Sequence, residues 1–333
     1  MTPLPSTLTT LRAALFLIPW LLLLLAADAA LSLLLLLKPL APRPTYDASS
    51  AIACGGGGSA RATASVQQPP DRTTSSDLSD LSALVGGASA VVVANHVAWA
   101  DFYLIQEVAA RAGMLSRCRW FAKSQLRWVP FLGWGLWAMG MPLVTRKWAS
   151  DRKEMRKVFD GIVEGALPIW LISYSEGTRY TPSKHASTTS WCAAHNKPTP
   201  THTLYPRTRG FVATVQALRR APHVRFVLDV TVAYARVGPA PSSGSRGGTP
   251  LLAWLDAAAP SFWQSLTTPD LEREGYRFYV HVDAFEVEGL PREEEGLAEW
   301  LEARWEVKGK RLEGLRRRLE RGEETEGWAA AGQ

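Results

Sequence analysis

Cysteine is scarce in this chain of 333 residues, and its three cysteines are too few for the disulfide framework of a small secreted protein. Charged residues make up only 20% against 47% hydrophobic residues, so the chain is too apolar to be intrinsically disordered. Its 26 glycines and 22 prolines are close to average usage, which excludes a collagen-like chain. The composition therefore describes a globular protein that is long enough to bury a large core.

The balance of charge favours an acidic partner. The formal net charge is +6, which suits nucleic acid, an anionic membrane surface or a phosphorylated substrate. The chain also has 14 tryptophans, and amphipathic indole rings are typical of membrane interfaces. We therefore expect a membrane partner and no nucleic acid.

The longest apolar run covers residues 13–37 and is interrupted only by Asp28 and Ser32. As a helix rising ~1.5 Å per residue, the run is long enough to cross a hydrocarbon core of ~30 Å. It exceeds the ~7–15 apolar residues of a cleaved signal peptide, so the pattern favours a retained anchor. The distribution of flanking cations places the remainder of the chain in the cytosol; these cations are Arg12, Lys38 and Arg43.

The next segment, residues 41–88, is dominated by Pro, Ser, Thr, Ala and Gly and has no apolar periodicity. It is predicted to be a flexible linker. Gly55 to Gly58 lack the Gly-Lys-Ser/Thr that completes a P-loop, so they do not predict a phosphate-binding loop.

A candidate catalytic pair follows the linker. Residues 90–94 predict a buried strand and residues 102–112 predict a helix. His96 and Asp101 lie between them, and on a continuous helix they would point ~140° apart. They can meet only if His96 lies on the turn between strand and helix. A histidine held by a carboxylate is a general base suited to activating a hydroxyl group.

A second polar group follows the apolar run 167–172, which predicts another strand end. Its arginine offers a planar fork for phosphate, its glycine allows close approach of the backbone, and its threonine adds a hydroxyl group. Two further cations, one before and one after this group, would also suit a phosphorylated hydroxyl substrate. The residues concerned are Glu176, Gly177, Thr178, Arg179, Arg146 and Lys184. Taken alone, the group could equally be an ordinary charged turn, and a lone His-x4-Asp pair is more often structural.

Two other kinds of site find little support. Cys192, His195 and His202 lack the further ligand that a four-coordinate zinc site needs, so no metal is expected. Ser175 is not the nucleophile of a Gly-x-Ser-x-Gly elbow, because Ser173 occupies the position of the first glycine.

Taken in order, the motifs resemble those of the glycerolipid acyltransferase family, which includes the 1-acylglycerol-3-phosphate acyltransferases. Later blocks are similar to the eukaryotic branch with lysophosphatidic acid and lysocardiolipin acyltransferases. The resemblance extends over about residues 89–310 and is carried by residues 95–101, 131–146, 176–179, 204–211, 229–231 and 290–301.

The resemblance implies an α/β acyltransferase domain whose central, mostly buried sheet is flanked by helices, with one N-terminal transmembrane helix. It makes His96 the base and Asp101 the acid that orients it. Glu176 and Arg179 would grip glycerol and phosphate, with Arg146 assisting. The chain departs from the family pattern at two positions, Ala98 and Ser175, where serine and proline are common; neither carries the proton transfer.

The implied reaction is transfer of a fatty acyl group from acyl-CoA to the sn-2 hydroxyl of a lysophospholipid, with 1-acyl-sn-glycerol-3-phosphate as the leading acceptor. Lysophosphatidylinositol and lysocardiolipin are alternative acceptors, and an inactive membrane-anchored lipid-binding protein is an alternative of another class. Acyl-CoA would be a co-substrate, and neither a cofactor nor an obligate protein partner is expected. The implied location is the endoplasmic reticulum membrane, with the catalytic domain in the cytosol. Backbone N–H groups near the His96 turn are the expected donors to the oxyanion.

The chain is thus predicted to comprise an anchor (1–40), a linker (41–88), an acyltransferase domain (89–290) and a charged helical extension (291–333). The charge-rich part of this extension, residues 308–326, is expected to be a solvated helix or a membrane-surface contact, and the solvated helix is favoured. Residues 128–137 contain three tryptophans and are expected to form a membrane-contacting surface.

Overall fold

The computed structural model describes residues 7–57, 85–130, 132–145, 148–238 and 252–323. The helices in these residues are α1 (Thr7–Leu34), α2 (Pro42–Gly57), α3 (Asp101–Arg111), α4 (Leu132–Ala138), α5 (Trp148–Glu164), α6 (Pro182–Ala194), α7 (Thr208–Leu218), α8 (Phe262–Thr267) and α9 (Glu294–Glu320). The strands are β1 (Ser89–Ala94), β2 (Cys118–Trp120), β3 (Ala122–Lys123), β4 (Leu143–Val144), β5 (Trp170–Tyr174), β6 (Val224–Val237), β7 (Leu252–Trp254) and β8 (Tyr276–Glu286).

The central sheet has a parallel part in the order β2-β5-β1-β6, and β7 and β8 pair with β6 in antiparallel fashion. Strand β1 is buried along its whole length, as expected for a parallel strand that is covered on both faces. Ala94 at the end of β1 lies opposite Tyr174 at the end of β5. The residues that follow these two strands therefore emerge side by side at one edge of the sheet.

Helices cover both faces of this sheet. On one face, α3 packs against it through Leu104, Ile105 and Val108. On the other face, α5 and α7 contribute Met155, Phe159, Ile162, Phe211 and Val215. The predicted α/β architecture, with a central sheet between helices, is confirmed.

Helix α9 is part of the core. It packs against α7, β6 and β7. Leu297 and Leu301 belong to one cluster of core residues, and Leu312 and Leu315 belong to the other. Lys308 is fully buried, and its ammonium group pairs with Asp229 of β6 and donates to the Val230 carbonyl oxygen at 2.7 Å. The predicted helix is present, but the expectation of a solvated helix over residues 308–326 was wrong for Lys308, Leu312, Leu315 and Leu319, which are buried. Apolar residues at helical spacing beneath the charged face account for the difference.

Helix α2 lies within the segment that was expected to be a linker. Tyr46 is buried, and its hydroxyl donates to the Pro168 carbonyl oxygen at 2.6 Å. Ser50 accepts a hydrogen bond of 2.7 Å from Nη2 of Arg119, which is itself fully buried. The expectation of an irregular linker was therefore wrong for residues 42–57, whereas residues 58–84 lie outside the described part of the chain. Tertiary contacts, which composition does not reveal, hold α2 in place.

Helix α1 contains a segment, Leu17–Leu34, that is long and apolar enough to cross a membrane, with a mean hydropathy of 2.2. Only 6% of that segment is buried, unlike the core helix of a soluble protein. Helix α1 packs against α2, α4 and α8. Beyond its end, Lys38 donates to the Trp137 carbonyl oxygen at 2.7 Å.

Candidate active site

Asn95 ends strand β1 and fixes the turn that carries His96. Its side-chain amide donates to the Val232 carbonyl oxygen at 2.9 Å and accepts from the Val232 N–H at 2.8 Å. The side-chain amide therefore takes the place of a backbone peptide group in the pairing of β1 with β6. The N–H and C=O groups of Val232 stay hydrogen-bonded although the backbone leaves the sheet at this point. His96 lies on the strand-to-helix turn, as the sequence predicted.

Asp101 begins α3 and is fully buried beneath this turn. Its Oδ2 atom lies 2.7 Å from Nδ1 of His96 and also accepts from the Val97 N–H at 2.7 Å. Its Oδ1 atom accepts from the Ala98 N–H at 3.0 Å and from the Tyr234 hydroxyl at 2.7 Å. One carboxylate thus fixes both the ring of His96 and the backbone on which it stands.

The geometry determines what the ring of His96 can do. When Nδ1–H donates to Asp101, Nε2 keeps its lone pair and can accept a proton. The side chain is 20% exposed, whereas that of Asp101 is 0% exposed. On one face the ring stacks on Tyr174, with centroids 4.0 Å apart. Burial raises the pKa of the Tyr174 hydroxyl well above its ordinary value, so this ring stays neutral.

Glu176 is buried behind the same turn. Its Oε2 atom accepts from the backbone N–H of His96 at 3.3 Å, and its Oε1 atom accepts from the indole N–H of Trp305 at 3.4 Å. The backbone oxygen of His96 accepts from the Tyr180 N–H at 2.6 Å. Burial raises the pKa of Glu176 to about 8, so the side chain is mostly protonated at neutral pH. The loop 176–180 therefore holds the His96 backbone on both sides.

Gly177 adopts a positive φ of 70°, which a residue with a Cβ rarely adopts. A Cβ at this position would lie 3.0 Å from Cδ and 3.1 Å from Nε of Arg207, so the Arg207 side chain crosses directly over the glycine. The backbone N–H of Arg207 donates to the Ser175 carbonyl oxygen at 2.7 Å. Only a residue without a side chain allows this arginine to lie against the loop.

Arg179 and Arg207 are both exposed. Within the described part of the chain, neither guanidinium has an ion pair or a side-chain hydrogen bond. The positive charge of Arg179 opposes the burial that raises the pKa of Tyr174, the ring stacked on His96. One unpaired guanidinium thus lies on the loop that contacts the His96 turn, and the other lies against this loop from the start of α7. Two such groups can bind an anion.

Lys184 lies beside the same loop. Its ammonium group donates to Oγ1 of Thr178 at 2.7 Å and to the Arg179 carbonyl oxygen at 3.1 Å. Five of the predicted binding residues are therefore close together: four lie in this loop, and the fifth, Lys184, is hydrogen-bonded to it. The sixth, Arg146, lies outside the described residues, and its neighbour Thr145 lines a cavity of about 350 Å³ with Lys123.

The three candidate zinc ligands do not converge. Cys192 is buried in α6, and His202 hydrogen-bonds with Nε2 to Glu313 at 2.6 Å. His195 instead hydrogen-bonds with Nδ1 to the Trp191 carbonyl oxygen at 2.8 Å. In the described ranges, no cluster of three or more His, Cys, Asp or Glu residues could hold a metal ion.

Sequence reasoning missed four residues that complete the site: Tyr174, Arg207, Tyr234 and Trp305. Arg207 belongs to the block 204–211 that contributed to the resemblance, but its spacing from Gly177 gives no sign of contact. Tyr234 and Trp305 follow Asp101 by more than a hundred positions and act only through the tertiary fold. Tyr174 lies two positions before Glu176, the first residue of the Glu-Gly-Thr-Arg motif, and its place at a strand end was the only available signal.

Comparison with known proteins finds acyltransferases. A family model described as Acyltransferase matches residues 72–235, which include the His96 turn, the Glu176 loop and Arg207. The chain is 27% identical over 216 residues to 1-acyl-sn-glycerol-3-phosphate acyltransferase 2 of Brassica oleracea, covering 65% of this chain and 49% of that protein. It is 35% identical over 134 residues to 1-acyl-sn-glycerol-3-phosphate acyltransferase delta of Mus musculus, covering 40% of this chain and 35% of that protein.

Lysocardiolipin acyltransferase 1 of Mus musculus is 26% identical over 230 residues, covering 69% of this chain and 55% of that protein. The chain thus spans about half the length of the curated relatives that it matches. No solved structure gives a significant match. The ordered motifs, the fold, the matching family model and these relatives together support the glycerolipid acyltransferase family for this chain.

Proposed function

We propose that the protein transfers a fatty acyl group from acyl-CoA to the sn-2 hydroxyl of 1-acyl-sn-glycerol-3-phosphate, giving phosphatidic acid. The observation that carries this proposal is the buried Asp101 carboxylate bound to His96, beside a loop that bears Arg179 and is contacted by Arg207. This arrangement matches an acceptor that has both a hydroxyl group and a phosphate.

In the proposed reaction, Nε2 of His96 removes the proton from the acceptor hydroxyl as its oxygen attacks the thioester carbonyl carbon. Asp101 stabilises the imidazolium that forms. The tetrahedral oxyanion then collapses, the carbon–sulfur bond breaks, and the CoA thiolate leaves with the proton returned by the imidazolium. The products are the ester and free CoA.

Three of the backbone N–H groups near the His96 turn, where donors to the oxyanion were expected, are already engaged. The N–H groups of Val97 and Ala98 donate to Asp101, and that of His96 donates to Glu176. These three groups of the turn are therefore committed to holding the base. We assign them a positioning role and leave stabilisation of the oxyanion to groups beyond them.

Arg179 and Arg207 would bind the acceptor phosphate from two sides, and Lys184 would keep the loop in place through Thr178. Two planar forks suit a phosphate monoester, which presents several oxygens and up to two negative charges. Glu176 is neutral and buried, so in this proposal it supports the His96 turn and can donate one hydrogen bond toward the glycerol.

The apolar helix α1 would anchor the enzyme in the membrane that contains its lipid substrates. The endoplasmic reticulum is the membrane proposed from the family resemblance, and the flanking cations favour a catalytic domain in the cytosol. Lysocardiolipin and lysophosphatidylinositol remain candidate acceptors, and the named murine lysocardiolipin acyltransferase supports the first of them.

The experiment that tests this function is an acceptor panel. Purified full-length protein in liposomes is supplied with labelled oleoyl-CoA and lysophosphatidic acid, lysophosphatidylinositol, lysocardiolipin or lysophosphatidylcholine. We expect the highest kcat/KM with lysophosphatidic acid. Product with none of the four would leave only a lipid-binding protein, and a preference for another acceptor would change the assigned substrate.

A further inference from the structure

Short helix α8 lies beside both the apolar helix and the catalytic turn. The turn before it is anchored in the core by Leu255 and Ala258, which are buried. Ser261 and Gln264 then form a capping box, with Ser261 Oγ accepting from the Gln264 N–H at 3.2 Å and Gln264 Oε1 accepting from the Ser261 N–H at 2.8 Å. The helix is thus held at a fixed position although it is only 6 residues long.

This helix presents apolar side chains to the outside. Phe262 and Trp263 are 42% and 43% exposed, and no residue of α8 is charged. The helix packs against α1, and so does α4, whose Trp134 and Trp137 are also exposed. Exposed aromatic residues thus lie on two short helices that both pack against α1, and we call these four side chains the aromatic collar. Such a collar is typical of a bilayer interface, where a ring can keep its polar atom in water.

The catalytic turn is coupled directly to α8. Trp99, which lies between His96 and Asp101, donates from its indole N–H to the Pro260 carbonyl oxygen at 2.8 Å. Its ring also meets that of Phe262 edge to face, with centroids 5.2 Å apart. Trp99 further contacts Tyr103 of α3, and both side chains are partly exposed. A continuous aromatic surface thus runs from α8 to the residues that flank the base.

We propose that Phe262 and Trp263 enter the lipid interface beside α1 and hold the His96 turn against the bilayer, so that a lipid acceptor reaches the base without leaving the membrane. The partner is a phospholipid surface, and the continuity of this collar with α1 is the reason to choose it over a protein. The net charge of +6 further suits an anionic surface. This inference rests on the proposed function, because it assumes an acceptor that is located in a bilayer.

The first test measures how deeply position 263 enters the bilayer. Trp263→Cys and Trp191→Cys in the full-length chain are labelled with an environment-sensitive fluorophore and placed in liposomes that contain spin-labelled lipids. Trp191 is a matched control, because it is 44% exposed and lies on α6. The unsubstituted chain is labelled in parallel to subtract the signal of its own cysteines. We expect strong quenching at position 263 and little at position 191; equal quenching at both would overturn the proposal.

The second test measures function. Trp263→Glu should lower kcat/KM for lysophosphatidic acid in liposomes by about tenfold or more, because a carboxylate resists entry into the interface. The same variant should act within about twofold of wild type on a short-chain acceptor dissolved in water. Trp263→Leu should restore activity on liposomes, and Trp191→Glu should have no effect there. Equal losses with both acceptors would indicate a purely structural role for Trp263 and would overturn the inference. If the wild-type protein is inactive on every acceptor, the proposed function is refuted, and the quenching result alone decides this inference.

Discussion

Oδ2 of Asp101 lies 2.7 Å from Nδ1 of His96 and 2.7 Å from the backbone nitrogen of Val97. The acid therefore sets both the orientation of the ring and the shape of the turn that carries it. Because Oδ1 also accepts from Tyr234, every oxygen of this buried carboxylate is hydrogen-bonded. The dyad is held rigidly before any substrate arrives.

Loss of either member of the dyad should impair the chemical step. We expect His96→Ala and Asp101→Asn each to lower kcat by at least about 100-fold, the usual scale for a general base or its orienting acid. Single-turnover acyl transfer measures this, with circular dichroism to confirm folding. Wild-type rates in either folded variant would remove that residue from the mechanism.

Glu176 should make stability depend on pH. Its pKa in the folded protein is raised to about 8 by burial, above the ordinary value of 4.5, so the folded state binds the extra proton between these values. This contribution to stability is fully present below about pH 4.5 and is lost as the pH rises through about 8. The resulting change in the free energy of unfolding is a few kcal/mol at most. Glu176→Gln cannot ionise, so its Tm relative to wild type should rise as the pH increases from 5 to 9. A constant difference in Tm across this range would show that Glu176 is ionised in the fold.

The two arginines should discriminate between head groups. Arg179→Lys keeps the charge but loses bidentate pairing, and Arg207→Ala loses the fork over Gly177, so both should raise KM for lysophosphatidic acid by about tenfold. Arg225→Ala is the control, because it removes the same charge from an exposed residue at the opposite end of β6. Steady-state kinetics with varied acceptor and varied acyl-CoA separates the effects. If only the KM for acyl-CoA rose, the arginines would belong to the donor site.

Asp229 of β6 should be essential for the stability of the fold. It is fully buried, pairs with Lys308 and accepts from Nε of Arg304 at 2.7 Å. Asp229→Ala leaves a buried ammonium without its counter-charge and should cost about 3–5 kcal/mol of unfolding free energy. Asp160→Ala breaks an exposed pair with Arg220 and should cost less than about 1 kcal/mol. Chemical denaturation of both variants checks this, and similar losses would refute a special role for the buried pair.

Two neighbouring serines of α2 offer a matched test of its docking. Ser49 and Ser50 are both buried and both donate to the Tyr46 carbonyl oxygen at 2.8 Å. Only Ser50 also accepts from the buried Arg119. Ser50→Ala should therefore lower the unfolding free energy by about 1.5–3 kcal/mol more than Ser49→Ala, because it leaves a charged donor unpaired. Equal destabilisation would mean that α2 does not dock on Arg119 in solution.

The sequence alone determined the elements that local patterns specify. A β-branched run predicted β1, an apolar run predicted the strand before Glu176, and a long stretch of leucines predicted α1. The order of the motifs was enough to identify the family, because it depends on the chain and not on contacts. His96 and Asp101 could also be paired in advance, since they are close in sequence and only a turn between strand and helix lets them meet.

Only the tertiary structure decided which distant residues complete the site. Tyr234 reaches Asp101 because β6 lies next to β1, and Trp305 reaches Glu176 because α9 folds back across the sheet. The same folding makes α2 and α9 parts of the core, although their compositions resemble a linker and a solvated helix. Composition records the propensity of a segment, whereas burial depends on which surface the rest of the chain places against it.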